Sequence, residues 1–281
     1  MRRVPVTEAP HPAGSDLERL RGGALLARLH GGDEEAVRAV GRALPALSRL
    51  AEDAAAALAS GGRLVYAGAG TSGRLAALDA AECPPTFGVA PSRVVALVAG
   101  GPRALRRAVE GAEDDAAAGA AAVRRLRVGA GDLVVGLSAS GTTPFVLAAL
   151  AEARRRGART ALLTSNPAAR PAAAQRRVVL RTGPELVAGS TRMKAGTAAK
   201  MALGLLSTAA FVRLGAVRAG RMVALAATSA KLRRRAVRTV SALCGVSAAR
   251  AHAALQRSGW KVAAALEAVS RSPARRARGS G

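Results

Sequence analysis

Residues 63–80 read RLVYAGAGTSGRLAALDA. A short, almost continuous apolar run leads into a turn rich in glycine, and an alanine-rich stretch follows. Such a run suits a strand buried on both faces, and the alanines suit a helix. Gly68, Gly70 and Gly73 match G-x-G-x-x-G, the dinucleotide fingerprint, which is weak evidence alone. That fingerprint also calls for an acid at the end of the second strand, but here the chain reads Val98-Ala99-Gly100-Gly101. The turn therefore points away from a dinucleotide and towards another anion. Glycines let the backbone approach a ligand, and a helix N-terminus offers free N–H groups and a positive dipole end. Thr71 and Ser72 add hydroxyl donors to Gly70 and Gly73, more than a helix cap alone requires.

Working outward, four more apolar runs follow at 93–99, 132–137, 160–164 and 177–180. Alanine-rich segments expected to be helical lie at 71–82, 102–127 and 143–157. Strand alternating with helix predicts an α/β fold with a doubly wound parallel sheet. Ligands in such sheets sit beyond the carboxyl ends of the strands. Upstream, 34–60 reads as a helix that Pro45 kinks or divides, ended by Gly61-Gly62. The expected organisation is an N-terminal arm and helix over 1–45, the α/β domain with trailing helices over 46–235, a small helical unit over 236–270 and a disordered basic tail over 271–281. Residues 190–235 read as helical throughout.

Half of the 281 residues are hydrophobic, enough for a large core. No apolar run reaches the ~18–20 uncharged residues of a membrane span, and the N-terminus lacks a signal-like apolar stretch. A cytoplasmic location without membrane contact is expected. Cys83 and Cys244 form no C-x-x-C pair, and His11, His30 and His252 lie apart, so no metal site is expected. The formal charge is +25, a sign that suits nucleic acid. Aromatics are only 2% of the chain, however, so a stacking platform is lacking. The excess arginine reads as solvated surface, and nucleic acid is not an expected partner.

Four further stretches carry chemistry. Ser138-Ala139-Ser140-Gly141-Thr142-Thr143-Pro144 ends the third run with small hydroxylated residues at a helix start. Two such turns can converge on one phosphate, through Ser138, Ser140, Gly141 and Thr142. With no G-K-[ST], a monoester such as a sugar phosphate fits better than a triphosphate. Glu82 precedes Cys83-Pro84-Pro85, so it is expected at a helix end. A carboxylate there opposes the dipole and has no basic residue within four positions, which suits a proton donor. Glu110, Glu113, Asp114 and Asp115 form an acidic cluster that alone reads as a solvated first helical turn. Gly189-Ser190-Thr191-Arg192-Met193-Lys194 opens a later helix and reads either as a polar loop over the site or as a capped helix start.

The blocks GAGTSGRLAALDAAECPPTFGV (68–89), AVEGAEDD (108–115), SASGTTP (138–144), SNP (165–167) and GSTRMKAGTAAKM (189–201) resemble, in order and spacing, the N-acetylmuramic acid 6-phosphate etherases. The resemblance spans about 45–245. It implies a flavodoxin-like three-layer sugar isomerase (SIS) domain, with an N-terminal helical arm and a small C-terminal helical unit. It also implies a homodimer, a sugar-phosphate substrate and no cofactor. The implied reaction removes D-lactate from N-acetylmuramate 6-phosphate by β-elimination and hydration. Glu82 then matches the proton donor and Glu113 a second active-site carboxylate. Thr71, Ser72, Ser138, Ser140 and Thr142 match the phosphate-cradling turns, and Ser190, Thr191 and Lys194 the later loop. The chain departs from the pattern at His11 and Ser229, where relatives have asparagine, at Thr142, where many have arginine, and at Ala224, where an acid is common. A regulatory sugar-phosphate binder and an SIS-fold isomerase are the alternatives.

Overall fold

The computed structural model describes residues 6–271. The arm over 1–5 and the tail from 272 lie outside the described residues. The chain divides into two compact units: Met1–Ala81 with Pro91–Ala210, and Glu82–Ala90 with Phe211–Gly281.

The first unit opens with three short 3₁₀ turns, Val6–Glu8, Pro12–Gly14 and Leu17–Arg19. Helix α1 follows over Gly22–Ala59 and contains Pro45, so the helix is not divided there. Five strands then alternate with helices: β1 (Leu64–Gly68), α2 (Gly70–Phe87), β2 (Val94–Val98), α3 (Ala116–Arg125), β3 (Leu133–Leu137), α4 (Pro144–Arg155), β4 (Arg159–Thr164), β5 (Arg176–Val179) and α5 (Lys194–Arg213). All strand pairs are parallel, in the order β2-β1-β3-β4-β5. This is the flavodoxin-like order, whose switch point lies between β1 and β3.

Alternate residues of each strand serve opposite faces. Val65, Ala67, Val134 and Leu162 pack with Phe145, Val146 and Leu150 of α4 and Val123 of α3 in one buried cluster. Tyr66 points the other way, and its hydroxyl donates to Asp79 of α2 at 2.8 Å. Ser207 of α5 holds the other Asp79 oxygen at 3.0 Å. Helices thus cover both faces, giving three layers.

Two helical expectations change. Segment 102–127 holds a 3₁₀ turn (Gly101–Leu105), a second one (Ala112–Asp114) and only then α3. Gly111, between the two 3₁₀ turns, takes a positive φ of 70°, which breaks a helix that the alanines favour. Pro84 and Pro85 lie inside α2, so Glu82 sits within the helix rather than at its end. Helix α5 is long and apolar enough to cross a membrane. It carries Lys194 and Lys200, and Ala198, Ala202, Leu203, Leu206 and Ala210 are buried within the protein, as in a core helix.

In the second unit, β6 (Val217–Arg218) and β7 (Arg221–Met222) form an antiparallel hairpin where helix was expected. Its two central residues, Ala219 and Gly220, have φ of 45° and 69°, the signs of a type I′ turn. Helices α6 (Ala230–Cys244), α7 (Ala248–Arg257) and α8 (Val262–Arg271) follow. They share a core of Val240, Leu255, Val262 and Leu266.

Candidate active site

The carboxyl ends of β1 and β3 carry the two hydroxyl-rich turns. At the first, the strand and helix approach closely. A Cβ on Gly68 would lie 2.8 Å from the Gly73 nitrogen, and one on Gly73 would lie 2.8 Å from Val98 Cγ1. Gly70 supplies the positive φ, 52°, that starts α2. The Thr71 and Ser72 side chains are half-buried, and Ser72 lines a small cleft with Ser138, Thr164, Ser165, Thr191 and Ala195.

The second turn is a hydroxyl network. Ser138 Oγ accepts from the Gly141 N–H at 2.9 Å and lies 2.8 Å from Thr143 Oγ1. Ser140 Oγ lies 2.9 Å from Thr142 Oγ1 and accepts from the Thr142 N–H at 3.2 Å. Gly141 has φ 73°, and a Cβ there would strike Ala169 Cβ at 2.2 Å. Asn166 Nδ2 donates to the Ser140 carbonyl at 2.8 Å, and Thr164 Oγ1 donates to the Ala139 carbonyl at 3.1 Å. Ser138 is thus buried and builds the turn, whereas Ser140 and Thr142 stand nearer its surface. Sequence reasoning gave no role to Thr143, Thr164 or Asn166. The signal for Thr143 and Asn166 was present in the SASGTTP and SNP blocks, while Thr164 lies just outside them.

A larger cavity, about 190 Å³, lies beside the first turn. Gly70, Arg74, Glu110 and Glu113 line it, with alanines at 69, 99, 104, 108 and 112. Arg74 spans to the Ala104 carbonyl at 2.7 Å, tying the start of α2 to the loop that carries the cavity wall. The acidic cluster divides by role here. Asp115 caps α3 by accepting from the Ala118 N–H at 2.7 Å, while Glu113, on its own 3₁₀ turn, lines the cavity. The first turn of α2 therefore borders both spaces, with Ser72 on one and Gly70 and Arg74 on the other.

The later loop is held from two sides. Thr191 lines the small cleft. The Gly189 N–H donates to the Thr7 carbonyl at 3.1 Å. Lys194 is 2% exposed, and its ammonium pairs with Glu35 of α1 rather than opening into the cleft. Its stem packs on Gly32, where a Cβ would lie 3.2 Å from Lys194 Cδ. Burial acts to raise the Glu35 carboxyl, but the Lys194 ammonium, with His11 and Arg38, holds it below its ordinary value.

In the second unit Glu82 is exposed on α2, one residue before buried Cys83. Two sequence departures find a structural account. His11 Nδ1 accepts from the Ala13 N–H at 3.0 Å, capping the Pro12–Gly14 turn. Ser229 Oγ accepts from the Leu232 N–H at 3.3 Å, capping α6. Both do what asparagine does well at such positions. Thr142 joins the hydroxyl network described above. Ala224 presents its carbonyl to Gly88, where a Cβ would lie 2.1 Å away.

This fold and these turns define an SIS-type α/β protein. The profile of the glucokinase regulatory protein N-terminal SIS domain matches residues 46–154. An E. coli CFT073 protein solved in complex with A5P shares the fold with a TM-score of 0.50 at 20% identity, covering 72% of this chain and 97% of that one. The N-acetylmuramic acid 6-phosphate etherase of Deinococcus radiodurans is 50% identical over 261 residues, 92% of this chain and 86% of that protein. That of Yersinia pestis (strain Pestoides F) is 47% identical over 263 residues, 93% of this chain and 89% of that protein. The chain belongs to the N-acetylmuramic acid 6-phosphate etherase family.

Proposed function

We propose that the protein cleaves the D-lactyl ether of N-acetylmuramate 6-phosphate, giving N-acetylglucosamine 6-phosphate and D-lactate in cell-wall sugar recycling. The observation that carries this is the near-half identity to named etherases over more than nine-tenths of the chain. The phosphate sits on the turns after β1 and β3. Thr71, Ser72, Ser140 and Thr142 donate to it, the N-termini of α2 and α4 add their dipoles, and Ser138 shapes the turn. Ser190 and Thr191 contribute from the loop before α5. The opened sugar is an aldehyde at C1, which acidifies the proton on C2. Glu113 takes that proton, and the electron pair left on C2 forms the C2–C3 double bond as the C3–O bond breaks. Glu82 gives its proton to the departing lactyl oxygen. Glu82 then takes a proton from water as the oxygen adds to C3, and Glu113 returns its proton to C2, which restores both carboxyl groups. Support for Glu113 is its place in the cavity beside the first turn. Support for Glu82 is its position in the ECPPTFG block and its freedom from ion pairs among the described residues.

The protein works in the cytoplasm as a homodimer. Leu26, Val37 and Leu44 of α1 are 68%, 52% and 49% exposed. They fall within about 20° of one another at 3.6 residues per turn, an apolar stripe that a second copy would cover.

The test is D-lactate release from N-acetylmuramate 6-phosphate by the purified protein, with one N-acetylglucosamine 6-phosphate formed per lactate. The profile match to a regulatory SIS domain favours one second reading, a sugar-phosphate binder. Tight binding by calorimetry with no lactate would establish it.

A further inference from the structure

Helices α2, α4 and α5 begin at the carboxyl side of the sheet, and they do not begin alike. Thr143, at the N-cap of α4, makes no capping bond, and the Thr71 and Ser72 hydroxyls at the start of α2 have no hydrogen-bond partner among the described residues. Helix α5 supplies its own anion. Glu185, wholly buried, accepts from the Lys194 N–H through Oε2 and from the Ala195 N–H through Oε1, both at 2.9 Å. The first amides of α5 are therefore occupied, and this helix start is closed to a phosphate.

A buried carboxylate is costly unless its hydrogen bonds are met. Here the two amides and the helix dipole meet them. What they hold borders the site. Ala195 lines the same cleft as Ser72, Ser138 and Thr191. At the next residue, Gly196, a Cβ would lie 3.3 Å from the Thr191 carbonyl oxygen and 3.4 Å from Thr71 Cγ2. The first turn of α5 therefore lies beside the first turn of α2, with room for about one methyl between Gly196 and Thr71. We infer that Glu185 is a positioning residue for the phosphate end of the site. By clamping the first turn of α5 it keeps Thr191 and Ala195 in the wall they share with Ser72 and Ser138. This rests on the reading of the turns after β1 and β3 as the phosphate cradle.

Glu185→Gln keeps the size but turns an N–H donor towards one of the two amides. Glu185→Asp keeps the charge and shortens the reach. Both are assayed as full-length enzyme for KM, kcat and the Kd of N-acetylglucosamine 6-phosphate. The expected result for Glu185→Gln is a rise of about tenfold in both KM and product Kd, with kcat within threefold of wild type. Glu185→Asp shows the same split at smaller size. An unchanged KM in a folded variant overturns the inference, and so does failure of both variants to fold, which would make Glu185 a requirement of the fold alone. Ser72→Ala and Ser140→Ala separate the two readings. If they raise KM while the Glu185 variants do not, the cradle stands and the clamp falls. If they leave KM unchanged, the cradle reading fails and takes the clamp with it.

Discussion

The two ends of the same five-stranded sheet each bury a carboxylate, and the two are used differently. At the amino end, Asp132 precedes β3 and Arg63 precedes β1. Asp132 Oδ1 accepts from the Arg63 N–H at 2.9 Å and from Nε at 3.0 Å. Its Oδ2 accepts from Arg63 Nη2 at 2.7 Å and from the Gly129 N–H at 3.0 Å. Arg63 Nη1 and Nη2 also donate to the Leu126 and Arg127 carbonyls. Burial acts to raise the Asp132 carboxyl, yet the Arg63 guanidinium and the Gly129 amide outweigh it and hold the group below its ordinary value. At the carboxyl end, burial dominates at Glu185 and pushes its carboxyl up. The Ala195 and Lys194 amides and the Lys194 charge offset this only in part, and Asp33 adds to it. A hydrogen-bonded ion pair ties the strand starts together at the end away from the hydroxyl-rich turns. The carboxylate beside the site has only neutral amides for direct partners.

The comparison predicts that substitutions at the carboxyl end change turnover and binding, while those at the amino end change stability alone. The largest effect is expected at Glu113. Glu113→Gln should lose about 10²–10⁴ in kcat, the range for a general base, with its denaturation midpoint unchanged. Loss of stability instead would move Glu113 out of the chemistry. Next comes Asp132→Asn, which leaves half-buried Arg63 beside a neutral partner. It should lower unfolding free energy by about 3 kcal/mol by urea titration, with KM of the folded enzyme unaltered. A raised KM would erase the division between the two ends. Smaller again is Ser72→Ala, expected to raise KM about tenfold by removing one hydrogen bond to a charged phosphate.

The finest distinction is in pH. Asp132 has a folded pKa below its unfolded value of about 3.9, so its stabilisation is complete above that value. It is lost as pH falls through the folded pKa. Glu185 has the opposite sign. Its folded pKa lies above its unfolded value of about 4.3, so its ionised form costs stability, and acidification through the folded pKa relieves that cost. Denaturation midpoints across this range should show wild type losing its advantage over Asp132→Asn on acidification and improving relative to Glu185→Gln. Parallel curves for the two variants would contradict the assignment of opposite signs.

The strands were legible because each is a nearly continuous apolar run, and the two hydroxyl-rich turns because glycines and hydroxyls cluster at strand ends. The hairpin at 217–222 was not. Its type I′ turn uses Ala219 at positive φ, where asparagine or glycine would have announced it. The break within 102–127 rests on Gly111, whose φ no composition reveals. At the site, Ser72, Thr191 and Glu113 were named from sequence and line the two clefts. Lys194 was also named, but its ammonium lies on Glu35, 159 residues away in the chain. Arg63 and Asp132, 69 residues apart, and Glu185, nine residues before the amide it caps, are joined only by the fold. Periodicity does not report such pairs.

Elimination followed by hydration is tested by turning over N-acetylmuramate 6-phosphate in ¹⁸O-water. The sugar product should carry solvent oxygen at C3, and the hydroxyl oxygen of D-lactate should be unlabelled. Label in the lactate hydroxyl, with none at C3, would mean cleavage on the lactyl side of the ether and would contradict that route.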